Sequence, residues 1–292
     1  MSGGTYTILH ERGIVGVGGP DAPKFLQDLV TADIQRVAAD TAAYGALLTP
    51  QGKILFDFIV YRTGERFLLD TPRAAAADLA KRLLFYRLRA RVEIEDLSAT
   101  HCVIAAWGSG EKPTGPFAFV RDPRLAALGF RVIAPARPAP DLPGWRAVDA
   151  SAYHAHRIAL GVPEGGVDFA FGQAFPHDAD MDQLGGIDTR KGCYVGQEVV
   201  SRMEHRGTAR RRIVVARAAT PLPAAGTPIT ADGRALGELA SVSGTSGLAR
   251  VRVDRVKEAL DAGTPLRADG VIVSLAIPDW ARFEWSAGAS ED

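Results

Sequence analysis

The chain has 292 residues, and its 34 Lys and Arg are balanced by 34 Asp and Glu, so the formal net charge is zero. This balance argues against the global attraction that brings basic proteins to nucleic acids or to anionic membrane surfaces. A hydrophobic content of 47% with 23% charged residues is typical of a folded globular protein and excludes a disordered chain.

The first 96 residues predict an α+β lobe. A short amphipathic helix follows Pro20, and apolar runs at 42–48 and 54–61 around a Pro/Gly link predict a β-hairpin. The rest of the lobe is predicted to be a third strand, a longer helix that begins at Thr71-Pro72 and a fourth strand, at 67–70, 72–88 and 91–95.

The remainder of the chain predicts a second α+β lobe and then an all-β domain. Strands at 101–107, 117–120 and 129–134 precede a proline-rich loop, and a helix runs from Asp149 to Leu160. After Arg206 short strands alternate with Gly and Pro, which is typical of a small barrel or sandwich. We therefore predict domains at 1–96, 97–205 and 206–285, with a tail at 286–292.

Two cysteines, Cys102 and Cys193, are too few for a disulfide framework or a four-cysteine metal site. The start of the chain lacks the pattern of a secretory signal peptide, and its apolar runs are far shorter than a bilayer span. We expect a cytoplasmic protein without membrane contact, and a monomer that needs no partner to close its core.

The densest chemical signal is the segment from Asp188 to Arg202, DTRKGCYVGQEVVSR. Cys193 lies just before a predicted helix and two residues after Lys191, and both features favour the thiolate over the thiol. Cysteines are also common as small buried side chains, so a packing role stays open for Cys193. Glu198 and Arg202 are spaced to form an i,i+4 ion pair.

The string from Lys191 to Glu198, with Arg202 four residues later, resembles the signature of the YgfZ family. These are folate-binding proteins related to the T-protein (aminomethyltransferase) of the glycine cleavage system. The resemblance continues at 25–33, 48–57, 157–163 and 184–187 and in the C-terminal part. It implies an α+β, T-protein-like cloverleaf of two α+β lobes and a C-terminal β-barrel around a central channel.

The resemblance also implies a function. Relatives bind tetrahydrofolate or another reduced folate in the channel. YgfZ-type proteins assist the assembly, maintenance or repair of iron–sulfur clusters in client enzymes, including a radical-SAM enzyme that modifies tRNA. The partners implied are therefore a folate and iron–sulfur client enzymes.

Two departures from the T-protein argue against aminomethyl transfer. T-proteins have two adjacent acids where this chain has Phe56-Asp57, and an Arg-x-Glu where it has Arg157-Ile158-Ala159. The transfer needs carboxylates that handle protons. Enzymatic activity stays open, and the alternative is a tetrahydrofolate-dependent aminomethyltransferase or demethylase in which Asp57 acts on the folate-bound carbon.

The resemblance, together with the chemistry of folate, gives the candidate site. Lys191 and Cys193 are the candidate reactive groups, and no metal site is predicted. The candidate folate-binding residues are Asp57, Asp178, Tyr194, Gly196, Gln197, Glu198 and Arg202. Asp178 would meet the pterin, Tyr194 would stack on it and Arg202 would meet the glutamate tail.

Plainer interpretations stay open for the same residues. Asp57 and Asp178 also fit paired or solvated carboxylates, Tyr194 a packing aromatic, and Arg202 a partner for Glu198. The basic run of His205, Arg206 and Arg210–Arg212 fits either a solvated face or a patch for an anion such as the folate tail or RNA. An RNA- or protein-interaction module is a third hypothesis, which the zero net charge disfavours.

Overall fold

The computed structural model describes residues 3–206 and 209–286. Its α-helices are α1 (Ala22–Leu29), α2 (Arg73–Tyr86), α3 (Ala150–Ala159), α4 (Gln197–Arg206) and α5 (Val253–Asp261). Its strands are β1 (Thr5–Leu9), β2 (Arg12–Gly18), β3 (Ala42–Leu48), β4 (Ile54–Thr63), β5 (Arg66–Pro72), β6 (Glu93–Asp96), β7 (His101–Trp107), β8 (Val120–Arg121), β9 (Phe130–Pro135), β10 (Arg146–Ala147), β11 (Arg211–Ala218), β12 (Pro228–Ala231), β13 (Arg234–Ser243), β14 (Ser246–Arg252), β15 (Arg267–Ala268) and β16 (Val271–Ala276). Among these residues, none of the helices is both long and apolar enough to cross a bilayer.

The first sheet has the strand order β3-β4-β5-β2-β6, with α1 and α2 contributing to its core. The sequence pattern does not predict β2, because glycines interrupt its apolar run. In the structure those glycines permit close packing: a Cβ at Gly13 would lie 2.9 Å from the Cβ of Ala76 in α2. The helix therefore lies nearly on the strand backbone, and β2 is buried along its whole length.

The second sheet has the order β10-β1-β7-β9-β8. Strand β1 pairs with β7 and β10, so residues 5–9 belong to this sheet and not to the N-terminal lobe predicted at 1–96. The core of the sheet contains Tyr6, Ile104, Phe130 and Val132.

A closed barrel, β11-β14-β13-β12-β15-β16, follows. Its core contains Val214, Ile229 and Leu239, with Val256 of α5 added to it. The α+β class and the C-terminal β-barrel predicted from the sequence are thus confirmed.

The chain divides into two compact units. The first contains the two sheets, up to Tyr153, together with Leu184–Gln197. The second contains His154–Gln183 and the chain from Glu198 onward, including the barrel. The segment predicted as a single lobe, 97–205, is therefore shared between the units, because its irregular middle part packs with the barrel.

A buried ionic network joins the two sheets of the first unit. Asp70 of β5 accepts from Arg12 Nε of β2 at 2.6 Å and from Arg131 Nη2 of β9 at 2.6 Å. The side chains of all three are almost completely inaccessible. Arg131 and Arg124 both donate to the Tyr153 hydroxyl, and Arg124 also pairs with Asp122. One carboxylate thus balances a guanidinium on each sheet.

We expect Asp70→Asn to lower the free energy of unfolding by about 3–5 kcal/mol, because it leaves two buried guanidinium groups without their shared counter-ion. Urea denaturation followed by circular dichroism measures this. The matched control is Asp28→Asn, which breaks an exposed pair with Lys24 and should cost less than about 1 kcal/mol. Equal losses in the two variants would contradict a structural role for the network.

Candidate functional site

The ammonium of Lys191 lies against the C-terminal end of α1. Its Nζ donates to the carbonyl oxygens of Gln27, Val30 and Ala32 at 2.7, 2.6 and 2.7 Å. Carbonyl groups at a helix end lack partners within the helix, and the helix dipole favours a cation there. Because an ammonium has three N–H donors, all of them are used.

These contacts give Lys191 a structural role in addition to the reactive role predicted for it. An ammonium whose three donors already bind carbonyl oxygens has none left for a thiolate or a substrate. Burial of the side chain lowers the pKa of Lys191 from 10.5 to about 8. The lysine is therefore an anchor of the loop that contains Cys193, and its role as a reacting group stays a prediction.

Two further residues fix the same loop. The Tyr194 side chain is buried, and the Lys191 Nζ lies 5.5 Å from the centre of its ring, a cation–π contact. Gly196 has a φ of +81°, and a Cβ there would lie 2.5 Å from the carbonyl oxygen of Thr49. The loop thus packs directly on the turn between β3 and β4, and only glycine fits at this approach.

The loop is also held where it begins. The Asp188 N–H donates to the Thr31 carbonyl oxygen at 3.0 Å, and its Oδ1 accepts the N–H groups of Arg190 and Lys191. The Thr31 hydroxyl donates to the carbonyl oxygen of Gly186 at 2.6 Å. The family resemblance includes Thr31 but assigns it no role; its hydroxyl in fact ties the end of α1 to this segment.

Cys193 is exposed between these anchors. A Cβ at the neighbouring Gly192 would meet no atom within 4 Å. The interpretation of Cys193 as a buried packing residue therefore does not hold, and the thiol is open to solvent. Cys102, in contrast, is buried in β7, and this burial raises the pKa of its thiol.

Asp57 lies inside the first unit and is 4% exposed. Its Oδ2 accepts a hydrogen bond from the Tyr44 hydroxyl at 3.0 Å. Burial, with the Asp57 charge beside it, holds the pKa of Tyr44 well above its ordinary value, so the hydroxyl remains a donor. Sequence reasoning missed Tyr44, although two-residue periodicity places it on one face of β3 with Ala46, the residue paired with Asp57.

Asp178 belongs to the second unit, on a short 3₁₀ helix, Pro176–Ala179. Its Oδ2 accepts the N–H of Phe175 at 3.0 Å. The carboxylate lines a cavity of about 420 Å³ with four arginines, from β11, β14 and α5: Arg211, Arg250, Arg252 and Arg255. Glu238 also lines the cavity and pairs with Arg250, so the cavity combines carboxylate acceptors for N–H groups with guanidinium groups that bind anions.

The remaining predicted residues lie around α4. Gln197 begins the helix and is half-buried. Glu198 and Arg202 form an exposed ion pair at 2.8 Å, which is the plainer of their two interpretations. Arg212 is not a free member of the basic run, because its guanidinium is buried and pairs with Asp182 at 2.6 Å. The side chains of His205 and Arg206 lie outside the described residues.

The structure brings Lys191, Tyr194 and Gly196 together with α1 and the hairpin turn in the first unit. Asp178, Glu198 and Arg202 belong to the second unit. Over residues 3–206 and 209–286, no group of three or more His, Cys, Asp or Glu side chains is arranged to hold a metal ion.

Two family models match the chain. Residues 9–110 match the GCVT N-terminal domain, and residues 210–283 match the CAF17 C-terminal β-barrel domain. The crystal structure of glycine cleavage system aminomethyltransferase T from Bartonella henselae superposes with a TM-score of 0.74 over 96% of this chain and 87% of that chain. At 18% identity this likeness shows a shared T-protein-like fold.

Curated relatives share one name. The iron–sulfur cluster assembly factor IBA57 of Homo sapiens is 32% identical, over 93% of this chain and 84% of the relative. The homologue from Mycosarcoma maydis is 31% identical, over 96% of this chain and 86% of the relative. These relatives are mitochondrial proteins, so the expected cytoplasmic location is wrong. A low cysteine count argues against a disulfide framework but does not identify a compartment.

The exposure of the two cysteines predicts their reactivity. In the native protein, one thiol per chain, that of Cys193, should react rapidly with Ellman's reagent. The thiol of Cys102 should react only after unfolding in guanidinium chloride. Cys193→Ser should remove the rapid phase, and Cys102→Ser should leave it intact. Two rapid equivalents, or none, would contradict the described loop.

The buried ammonium predicts a pH dependence. Because the pKa of Lys191 is about 8 in the folded chain and its ordinary value is 10.5, the unfolded chain binds more protons between these values. The contribution of Lys191 to the unfolding free energy therefore rises with pH across this window. We expect the free energy of unfolding of the wild type to increase relative to that of Lys191→Met between about pH 7.5 and about pH 9.5, as measured by urea denaturation. A constant difference between the two proteins would contradict burial of the ammonium.

Proposed function

The chain belongs to the IBA57 family of iron–sulfur cluster assembly factors, and on that basis we propose that it assembles, maintains or repairs clusters in client enzymes through the thiol of Cys193. The observation that carries the proposal is the exposure of this cysteine in a loop that is anchored by Lys191, Tyr194 and Gly196. A thiolate is a soft ligand that iron–sulfur clusters use.

A single exposed cysteine defines what this chain contributes. Clusters of the common types need four thiolate ligands, and Cys102 is buried. Cys193 therefore supplies one ligand to a cluster in transit, and a client protein or a small thiol supplies the others. The cluster is cargo in this scheme, and the anchored loop presents the sulfur to the partner that carries it. A radical-SAM enzyme that modifies tRNA is one proposed client.

A reduced folate, such as tetrahydrofolate, is the proposed cofactor. The cavity beside Asp178 supplies two of the three features that folate needs: a carboxylate for the pterin N–H groups and guanidinium groups for the glutamate carboxylates. Its volume of about 420 Å³ lies in the usual range for small-molecule sites. Its walls contain no aromatic ring, so the pterin would stack on a guanidinium plane.

The chain's own groups would bind and orient this cofactor, which supplies a ring able to carry one-carbon units. Asp178 would accept the pterin N–H groups, and Arg211 and Arg255 would meet the tail. Tyr194 and Gly196 are taken up by packing in the loop. Asp57 is buried with Tyr44, which does not favour the alternative aminomethyltransferase or demethylase, in which Asp57 acts on the folate-bound carbon.

The decisive experiment is rescue of iron–sulfur enzyme activity in cells that lack this protein. Cys193→Ser should fail to restore activity, whereas Cys102→Ser, the matched control, should restore it. In parallel, isothermal titration with tetrahydrofolate should show saturable binding that Asp178→Asn weakens about tenfold, a loss of about 1.4 kcal/mol.

The two measurements separate the two parts of the proposal. Full rescue by Cys193→Ser would remove the thiol from the mechanism. The absence of heat at millimolar tetrahydrofolate would remove the cofactor and leave the role of the thiol intact.

A further inference from the structure

The last turn of α2 and the residues that follow it expose large apolar side chains. Leu84, Phe85 and Leu88 are 43%, 73% and 89% exposed. In the described part of the chain, the other large hydrophobic side chains with comparable exposure are scattered singly: Val167, Leu260 and Ile272. We call Lys81, Arg82, Leu84, Phe85, Arg87, Leu88 and Arg89 the α2 patch.

The geometry of α2 explains why these side chains face outward. Ala76, Leu79, Ala80 and Leu83 form the buried side of the helix. With 3.6 residues per turn, Lys81 and Phe85 lie on the opposite side and Leu84 lies at its edge. The buried side holds the helix on the first sheet, so the exposed side is presented on a rigid element.

Leu88 follows the helix with a φ of +45°. This left-handed region favours Gly or Asn, because a branched side chain is strained there. A leucine in that position, with most of its side chain exposed to water, contributes little apolar burial to the fold of this chain. Its apolar surface is therefore available to another molecule.

The charge of the α2 patch is strongly positive. Lys81, Arg82, Arg87 and Arg89 are all exposed, and the segment 81–91 contains no acidic residue. Arg91 pairs with Asp21, but among the described residues none of those four forms an ion pair. In a chain of zero net charge, this is a local concentration of unpaired cations around an apolar centre.

We propose that the α2 patch is a docking surface for a protein partner whose complementary face carries carboxylates around an apolar pocket. Aromatic side chains and arginines are enriched at interface centres, and the patch places Phe85 beside Arg87 and Arg89. A membrane surface fits less well, because the long apolar side of α2 is already buried and only three side chains remain to insert. RNA fits less well, because exposed leucines add nothing to phosphate or base recognition.

The proposal goes beyond the proposed function, since it requires neither folate nor Cys193. The test begins with Leu88→benzoylphenylalanine in the full chain, photo-crosslinked in the native cells. Val167→benzoylphenylalanine is the matched control, because Val167 is 61% exposed and the sequence from 158 to 189 contains no Lys or Arg. We expect a crosslink to a protein, at a peptide rich in Asp and Glu, from position 88 alone.

The crosslinked protein is then purified, and its affinity for the full chain is measured. Phe85→Ser and the pair Arg87→Glu with Arg89→Glu should each weaken binding at least tenfold, and binding should weaken with added salt. Val167→Ser should leave the affinity unchanged. Because Phe85 is exposed, Phe85→Ser should melt at the wild-type temperature, which separates lost docking from lost folding.

Four results would overturn the proposal. They are a crosslink no stronger than that from position 167, a crosslink to lipid or RNA, a crosslink to a second copy of this chain, and an affinity that the patch substitutions leave unchanged.

Discussion

The candidate site depends on one buried ammonium. Lys191 binds three carbonyl oxygens at the end of α1, and these acceptors partly offset the cost of removing its charge from water, which still lowers its pKa to about 8. A hydroxyl or a guanidinium could not saturate this set of carbonyls in the same way, since only an ammonium places three donors around one atom. The position of Cys193 follows from this contact and from the close approach of Gly196 to Thr49.

A second constraint acts between the two sheets. Asp70 is shared by Arg12 of its own sheet and Arg131 of the other sheet, so one buried carboxylate links the two sheets of the first unit. A buried network of this kind is weak evidence for net stability, but removal of one charged partner strongly destabilises the fold, because the other charge is left buried without a counter-ion. It therefore fixes how β5 meets β9 more firmly than apolar packing alone would.

Much of the fold is predictable where the sequence has a clear period. The β3–β4 hairpin follows from two apolar runs around a Pro/Gly link, and the helices α1 and α2 follow from helical spacing and start signals; none of these needs knowledge of the tertiary structure. Strand β2 is not predictable in this way, because its glycines interrupt the apolar pattern. Gly13 allows α2 to pack closely on the strand, and the sequence around β2 does not show that a helix some 60 residues later packs there. The membership of β1 in the second sheet depends on pairing with strands about a hundred residues away.

The site shows the same division. The exposed cysteine and the i,i+4 pair of Glu198 and Arg202 agree with local sequence reasoning. The orientation of the Lys191 side chain could not be predicted locally, because its partners are main-chain carbonyl groups about 160 residues earlier. Every residue type has such a carbonyl group, so the sequence does not indicate which ones bind the lysine. The closeness of Lys191 to Cys193 in the sequence suggested that the two side chains act together, whereas in the structure the lysine ammonium binds the end of α1 and anchors the loop.

The empty space beside Gly192 has a consequence for handover. A Cβ there would have no atom within 4 Å apart from the adjacent residues, and Cys193 itself is exposed, so the proposed cargo would approach the sulfur from solvent. Under the proposed function, loading and release at Cys193 need no gate to open. Their speed is then governed by how often a carrier arrives and how well it is oriented on arrival.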